Sequence, residues 1–205
     1  MKIQLALDRL TREQCFLILE ETADHIDWIE IGTGVIKEYG MEIVREISEA
    51  YQQKTIVADM KTCDAGRHEA KQAFEAGADI ITVMAFSHDK TISETLETAQ
   101  QFEKRIIVDL LGVQTRERVE DLYELGVDLF CLHVGKDMQH EGALADSSLY
   151  GLVAGLENIE VAIAGGISVK TIGTLKGIDI AIIGSAITGS GNSGETSKMI
   201  KRLAE

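Results

Sequence analysis

Short apolar runs rich in β-branched residues recur about every 25 residues along the chain, which is the length of a strand, a helix and two short loops. The runs are Ile3–Leu7, Trp28–Ile31, Thr55–Ala58, Ile80–Met84, Ile106–Leu111, Leu129–Leu132, Val161–Ala164 and Ile180–Ile183. Between them, apolar residues recur with helical spacing, as in the stripe formed by Ile43, Val44, Ile47 and Tyr51. The pattern predicts strands that alternate with helices.

Strands that are apolar throughout are covered on both faces, which is typical of parallel sheets. Eight βα units joined by right-handed crossovers can close into a barrel. We therefore predict an α/β fold, a single (β/α)₈ TIM barrel domain over residues 1–205. The alternative is an open doubly wound sheet, which is less favoured because no glycine-rich dinucleotide-binding motif follows the first run.

A glycine and an aspartate recur two residues apart where a helical segment gives way to an apolar run. The three sites are Gly77-Ala78-Asp79, Gly126-Val127-Asp128 and Gly177-Ile178-Asp179. Glycine at this point can adopt the left-handed conformation that ends a helix. The aspartate then falls at the entry of a strand, on the face opposite to the expected active site, so we interpret these residues as structural.

The chain is strongly acidic, with a formal net charge of −14. Nucleic acids and anionic membranes need a basic face, so the charge argues against both as partners, although a small phosphate ester is still possible. No apolar run is long enough to cross a bilayer, and Met1–Asp8 leads directly into a strand without a signal peptide. Three widely spaced cysteines suit reduced thiols, and we expect a cytoplasmic protein.

Charged or titratable residues follow or end several of the predicted strands. They are Asp8, Glu30, Asp59, Lys61, Asp109 and His133. In a barrel the catalytic groups come from the carboxyl ends of the strands. Each residue alone could be a structural ion pair or a helix cap, but their joint occurrence at one end favours an active site.

Glu30 and Asp59 supply hard oxygen ligands on neighbouring strands and are the predicted ligands of Mg²⁺, which favours a few carboxylates plus water and substrate oxygens. The alternative is a salt bridge with Lys61. Asp59 and Lys61 are two residues apart, so both side chains should point to the same side of their strand. Asp64 is either the N-cap of a helix that starts near Ala65 or part of the site, and the two roles can coexist.

His133 is the predicted general base because histidine ordinarily titrates near neutral pH, although a lone histidine at a strand end is more often a hydrogen-bonded structural residue. Phosphate sites in barrels are often formed by the loops after the seventh and eighth strands. The residues that we predict for phosphate binding there are Gly165, Gly166, Gly184 and Ser185.

The stretch from Asp59 to Asp64, with Lys61 between them, resembles the D-x-K-x-x-D signature of the orotidine monophosphate decarboxylase suprafamily. The resemblance extends nearly end to end. It includes Leu5-Ala6-Leu7-Asp8, Ile29-Glu30-Ile31-Gly32-Thr33, Ala76-Gly77-Ala78-Asp79, Val108-Asp109-Leu110, His133-Val134-Gly135 and Ile163-Ala164-Gly165-Gly166. These motifs are similar to the branch that holds 3-hexulose-6-phosphate synthase and 3-keto-L-gulonate-6-phosphate decarboxylase.

The choice within the branch depends on a few positions. The decarboxylases typically carry Glu, Arg and Thr where this chain has Asp109, Lys136 and Ala164. The synthases typically carry Asp and Ala at the first and last of these positions, so the chain resembles the synthases more closely. Lys136 fits neither pattern, but it keeps a positive charge that could serve the role of the decarboxylase Arg.

The resemblance implies a lyase that condenses formaldehyde with D-ribulose 5-phosphate, or catalyses the reverse cleavage, through an enediolate stabilised by Mg²⁺. It implies that Lys61 stabilises the developing oxyanion and that His133 abstracts the proton. Asp8 would orient Lys61 or a substrate hydroxyl, and Asp109 would hold a hydroxyl or orient His133. It further implies that Asp64 reaches into the partner's site in a homodimer with shared active sites.

Three alternatives remain at the level of the sequence. The first is the decarboxylase itself, which uses the same enediolate chemistry. The second is a phosphopentose epimerase, which would need several strand-end histidines where only His133 is present. The third is a non-catalytic phosphate-binding barrel. The long connection Asp137–Ser148, with a glycine at 142, is a candidate flap over the site.

Overall fold

The computed structural model describes residues 1–138 and 147–205. Within these ranges eight parallel strands form a closed barrel in sequence order, in which the first strand pairs with both the second and the eighth. The strands are β1 (Lys2–Leu7), β2 (Trp28–Ile31), β3 (Thr55–Thr62), β4 (Ile80–Met84), β5 (Arg105–Asp109), β6 (Leu129–His133), β7 (Glu160–Ala164) and β8 (Ile180–Ile183). The predicted TIM barrel is confirmed, and the open doubly wound sheet is excluded.

Helices cover the outside of the barrel. They are α1 (Arg12–Thr22), α2 (Thr33–Tyr39), α3 (Met41–Ala50), α4 (Gly66–Glu75), α5 (Asp89–Gln101), α6 (Arg116–Glu124), α7 (Ser147–Val153), α8 (Ser185–Thr188) and α9 (Ser193–Ala204). A 3₁₀ turn, Ile172–Thr174, stands between β7 and β8 where the alternating pattern predicts an α-helix. The expected strand–helix alternation is therefore interrupted after β7.

Successive residues of each strand face opposite sides of the barrel wall, which divides the core into two layers. Outward residues such as Leu5, Ile29 and Ile81 are fully buried beneath the helices. Inward residues fill the lower barrel, and these include Trp28, Val57, Ile80, Ile107, Leu129 and Ile180. Most of the inward positions that carry polar side chains therefore lie nearer the carboxyl ends of the strands.

The Gly-x-Asp sites lie at the opposite end of the barrel, as predicted. Their glycines have positive φ angles of 96°, 96° and 67°. The carboxylate of Asp79 accepts a hydrogen bond from the backbone N–H of Ile56 at 2.8 Å, and that of Asp179 accepts one from Val161 at 2.8 Å. Asp128 instead forms a salt bridge with Arg105 at the start of β5. Two of the three aspartates therefore accept a hydrogen bond from a backbone N–H group of the preceding strand.

The described residues contain no helix that is long and apolar enough to cross a bilayer. All three cysteines, Cys15, Cys63 and Cys131, are free, as their spacing predicts. Most of the candidate flap at Asp137–Ser148 falls on residues 139–146, which lie outside the described residues.

Candidate active site

A cavity of about 660 Å³ opens at the carboxyl ends of the barrel strands. Nearly all of the residues predicted from strand ends and loops line it, namely Asp8, Glu30, Asp59, Lys61, Asp109, His133, Gly165, Gly166, Gly184 and Ser185. The exception is Asp64, which is exposed in the loop after β3 and does not line the cavity of its own chain. Residues that are distant in sequence thus meet at the barrel rim.

The end of β3 is irregular, and this irregularity aims two side chains at the cavity. The pairing of β3 with β4 shifts register between Ala58 and Thr62, and Lys61 has a positive φ of 46°. The Thr82 hydroxyl stabilises this backbone by accepting a hydrogen bond from the Lys61 N–H at 2.8 Å. It also donates to Asp59 Oδ1 at 2.7 Å, so one buried threonine holds both residues of the motif.

The Lys61 ammonium group lies between two buried carboxylates. Its Nζ is 3.0 Å from Asp59 and 3.1 Å from Asp109. Burial alone would lower the pKa of Lys61, but the charges of Asp59 and Asp109 outweigh burial and hold that pKa above its ordinary value. Lys61 should therefore carry its positive charge at neutral pH. The ion pair between Lys61 and Asp59, which the sequence offered as the alternative to a metal site, is present. Lys61 also forms a second ion pair, with Asp109.

Asp109 connects Lys61 to His133. His133 Nδ1 lies 2.8 Å from Asp109 Oδ2 and 3.0 Å from Oδ1, and the backbone N–H of Leu111 donates to Oδ1 at 2.9 Å. Burial would raise the pKa of Asp109, but the hydrogen bond and charge of His133, together with Lys61, lower it below its ordinary value. An ionised Asp109 needs a donor at Nδ1, and this tautomer leaves the Nε2 lone pair of His133 available as a base.

Glu30 is almost completely buried beside this network. Its Oε2 accepts a hydrogen bond from Gln4 Nε2 at 2.6 Å. Burial, together with repulsion from Asp59, raises the pKa of Glu30 to about 8, and the Gln4 bond and the Lys61 charge only partly oppose this rise. The negative charge of an ionised Glu30 is thus only partly stabilised by the protein groups around it.

The donor set at Glu30 and Asp59 fits a hard divalent cation. Asp59 receives bonds from Thr33 at 2.8 Å, from Thr82 at 2.7 Å and from Lys61 at 3.0 Å, while a carboxylate offers about four acceptor directions. In the described part of the chain no group of three or more His, Cys, Asp or Glu side chains is arranged for a metal. An ion here would therefore have two protein carboxylates and complete its shell with water or substrate oxygens, as Mg²⁺ commonly does.

The loops after β7 and β8, which we predicted to bind phosphate, form one wall of the cavity. Gly165 and Gly166 have positive φ angles of 107° and 71°. A side chain at Gly165 would collide with the carbonyl oxygen of Val134. Glycine is thus required here for both conformation and space, which brings the backbone itself to the cavity surface.

Asp8 and Asp64 differ in their placement. Asp8 lies at the cavity mouth against Gly32, where any larger residue would collide with its carboxylate. Partial burial and the charge of Asp59 raise the pKa of Asp8. Asp64 does not cap α4: the N-cap is Ala65, in the left-handed conformation and without a side-chain cap bond. The capping role considered for Asp64 is therefore wrong.

A family model described as "Orotidine 5'-phosphate decarboxylase / HUMPS family" matches residues 1–200 of the chain. The chain belongs to this family. It is 38% identical to a 3-hexulose-6-phosphate synthase from Bacillus subtilis (strain 168), and the match covers 99% of this chain and 98% of that protein. Family members of this kind are lyases, so the chain is an enzyme of that class, as predicted.

Solved structures of the family share the barrel. A 3-hexulose-6-phosphate synthase from Salmonella typhimurium superposes with a TM-score of 0.96 at 33% identity, covering 100% of this chain and 98% of that one. A 3-keto-L-gulonate-6-phosphate decarboxylase from Vibrio cholerae gives 0.85 at 28% identity, covering 99% and 96%. The chain is thus closer to the synthases than to the decarboxylases, as Asp109 and Ala164 indicated.

Three residues that hydrogen-bond to the charged side chains of the cavity were missed from the sequence: Gln4, Thr33 and Thr82. Gln4 interrupts an apolar strand at an inward position in step with Asp8, and that polar interruption could have revealed it. Thr82 interrupts β4 in the same way. Thr33 stands inside a family motif but carries no distinguishing signal of its own.

Proposed function

We propose that the chain is a 3-hexulose-6-phosphate synthase, which condenses formaldehyde with D-ribulose 5-phosphate. The observation that carries the proposal is the continuous line of contacts from Asp59 through Lys61 and Asp109 to His133 at the cavity floor. It places a fixed cation beside a base that is held by an ionised carboxylate. This combination suits abstraction of a proton next to a carbonyl group.

Glu30 and Asp59 would hold Mg²⁺. The bound ion would supply Lewis-acid stabilisation of negative charge on the carbonyl and hydroxyl oxygens of the sugar. Lys61 adds a second positive charge beside the same oxygens, and it needs no proton transfer to do so because it is already charged. Asp8, at the mouth, orients Lys61 or a substrate hydroxyl.

The proton transfer is assigned to His133. Its Nε2 takes the proton from C1 of the sugar, and the electron pair of the broken C–H bond forms the enediolate. That pair then forms the new C–C bond to formaldehyde, and the former aldehyde oxygen takes up the proton that the imidazolium returns. Asp109 stabilises the imidazolium and keeps the ring in the reactive tautomer.

The remaining assignments concern binding and assembly. Gly165, Gly166, Gly184 and Ser185 would hold the phosphate through the loops after β7 and β8. Because Asp64 is exposed and outside the cavity of its own chain, it suits a role in a partner's site within a homodimer. We expect the dimer to reside in the cytoplasm.

The second candidate activity is 3-keto-L-gulonate-6-phosphate decarboxylation. Loss of CO₂ from that keto acid gives an enediolate that the same groups would stabilise. Lys136 lines the cavity and provides a positive charge near the developing carbanion, which favours some activity of this kind. Asp109 and Ala164 favour the synthase as the main activity.

A paired assay tests the proposal. The purified protein is given formaldehyde with ribulose 5-phosphate, or 3-keto-L-gulonate 6-phosphate alone, and formaldehyde consumption and CO₂ release are compared. We expect faster formaldehyde consumption, which is lost after treatment with EDTA and regained with Mg²⁺. Faster CO₂ release would assign the decarboxylase instead, and no turnover of either substrate would favour a phosphate-binding barrel without catalysis.

A further inference from the structure

Gln4 is a fully buried amide in β1, and the other buried residues of this strand are apolar. It is 0% exposed, and its register partners on the neighbouring strands are Trp28 and Ile182, both apolar. Its Nε2 donates to Glu30 Oε2 at 2.6 Å, and Gln4 lies among the residues that line the cavity floor. An amide at this depth requires an explanation because its neighbours at the same level are hydrophobic.

The other end of the amide has no partner. Gln4 Oε1 is buried without a hydrogen bond to any described residue. An unsatisfied buried carbonyl is destabilising, so packing alone would favour an apolar side chain of the same length. The hydrogen bond to Glu30 is the one benefit of Gln4 that the described residues reveal, which indicates a role at Glu30 rather than in the core.

Glu30 depends on this amide. Among the described residues Gln4 is the donor recorded for its carboxylate, and the bond engages Oε2 while it leaves Oε1 for another partner. A single short bond to one oxygen fixes the rotation of a buried carboxylate. Groups that orient a metal ligand in this way commonly change metal affinity when they are removed.

We propose that Gln4 is a positioning residue, whose amide holds the Glu30 carboxylate in the orientation that binds the divalent cation. The proposal rests on the proposed function, since it assumes that Glu30 and Asp59 are metal ligands. Gln4 itself touches neither metal nor substrate. Its loss should therefore weaken metal binding while leaving the chemistry of the loaded enzyme intact.

The test is titration of the whole protein with Mn²⁺, followed by electron paramagnetic resonance, in wild type and Gln4→Met. Methionine keeps the length of the side chain and removes the donor. We expect the Kd for Mn²⁺ to rise on the order of 10-fold. The kcat measured at limiting Mg²⁺ should fall, and saturating Mg²⁺ should restore it to within about twofold, since a tenfold weaker site can still be filled.

The matched control is Ile180→Val, which trims a fully buried residue of the barrel interior that does not line the cavity. We expect it to leave the Kd for Mn²⁺ unchanged. Gln4→Asn keeps an amide that is too short to reach Glu30, so it should behave like Gln4→Met and provides the test if the methionine variant does not fold. Thermal unfolding confirms that each variant is folded.

The outcomes separate the two proposals. A Kd for Mn²⁺ that stays within twofold of wild type in the Gln4 variants, or that rises equally in Ile180→Val, overturns the role of Gln4 while the metal site stands. A kcat that saturating Mg²⁺ does not restore also overturns it. If Asp59→Asn binds Mn²⁺ as wild type does, the metal site itself fails, and the inference fails with it.

Discussion

At the scale of the residue, the site depends on a few buried polar groups that each serve two partners. Thr82 accepts from the backbone of Lys61 and donates to Asp59, while Lys61 itself is shared between Asp59 and Asp109. The positive φ of Lys61 is an uncommon backbone conformation for a non-glycine residue, so it persists only where neighbours hold it. The neutral hydroxyl of Thr82 thus helps to hold Asp59 and the backbone of Lys61 in place.

Thr82→Val tests this dependence. Valine has the shape of threonine without the hydroxyl, so the Lys61 N–H would lose its acceptor and Asp59 would lose one donor. We expect kcat/KM to fall about 10- to 100-fold and the free energy of unfolding to fall by about 1–3 kcal/mol. Steady-state kinetics and urea unfolding measure the two effects.

The matched control is Thr95→Val. Thr95 is also fully buried, but its hydroxyl donates to the backbone of Thr91 within α5, away from the cavity. This variant should keep its kcat/KM. Normal turnover in Thr82→Val, or an equal loss in Thr95→Val, would contradict the positioning role of Thr82.

At the scale of the element, carboxylates at strand entries fasten neighbouring strands together at the end of the barrel opposite to the site. Asp27, just before β2, accepts from the backbone N–H of Ile3 in β1 at 2.7 Å. Lys201 in α9 reaches the same carboxylate at 2.6 Å. The first two strands and the last helix are therefore joined at one charged group.

Asp27 should make stability depend on pH. Burial would raise its pKa, but the hydrogen bonds from Lys201 and Ile3 and the nearby positive charge lower it below the ordinary value. A carboxyl whose pKa is lower in the folded state stabilises the fold above its unfolded pKa of about 3.9, and this contribution disappears as the pH falls through the folded pKa.

We therefore expect Asp27→Asn to lower the free energy of unfolding by about 1 kcal/mol at pH 7, and by less at pH 3. Urea unfolding at both pH values measures the difference. Asp24→Asn is the control, since Asp24 is exposed and no ion pair is recorded for it among the described residues. A loss in Asp27→Asn that is independent of pH would contradict the electrostatic explanation.

At the scale of the whole molecule, an acidic protein has to bind an anionic sugar phosphate. The net charge of −14 disfavours such a ligand at long range. The cavity lining offers three cationic side chains, Arg9, Lys61 and Lys136, and glycine loops that expose backbone, alongside four carboxylates. A divalent cation between Glu30 and Asp59 would offset the charge of these two carboxylates.

Most of the barrel was predictable because its strands are apolar on both faces. The end of β3 was not, since Asp59-Met60-Lys61-Thr62 looks like a polar loop and only the pairing with β4 makes it a strand. The absent α-helix between β7 and β8 likewise left no clear mark in a sequence without proline. Local pattern therefore located the elements but not their irregular ends.

The charged residues of the site were predictable for a different reason. Parallel strands place their carboxyl ends on one rim, so polar residues that end separate strands must meet there. The positioning residues were not predictable in the same way, because the hydrogen bonds of Gln4 and Thr82 depend on which side chains face each other across the barrel. Their partners on other strands follow from the register and curvature of the closed barrel.

The most direct test of the central claim is exchange of the C1 proton of ribulose 5-phosphate with solvent, followed by NMR in D₂O without formaldehyde. Wild type with Mg²⁺ should exchange this proton, because the enediolate forms before formaldehyde is attacked. His133→Ala and Lys61→Met should lose exchange by at least about 100-fold, since base and oxyanion stabilisation are each removed. The surface variant Lys71→Met should retain it. Exchange at the wild-type rate in His133→Ala or Lys61→Met would contradict the proposed chemistry.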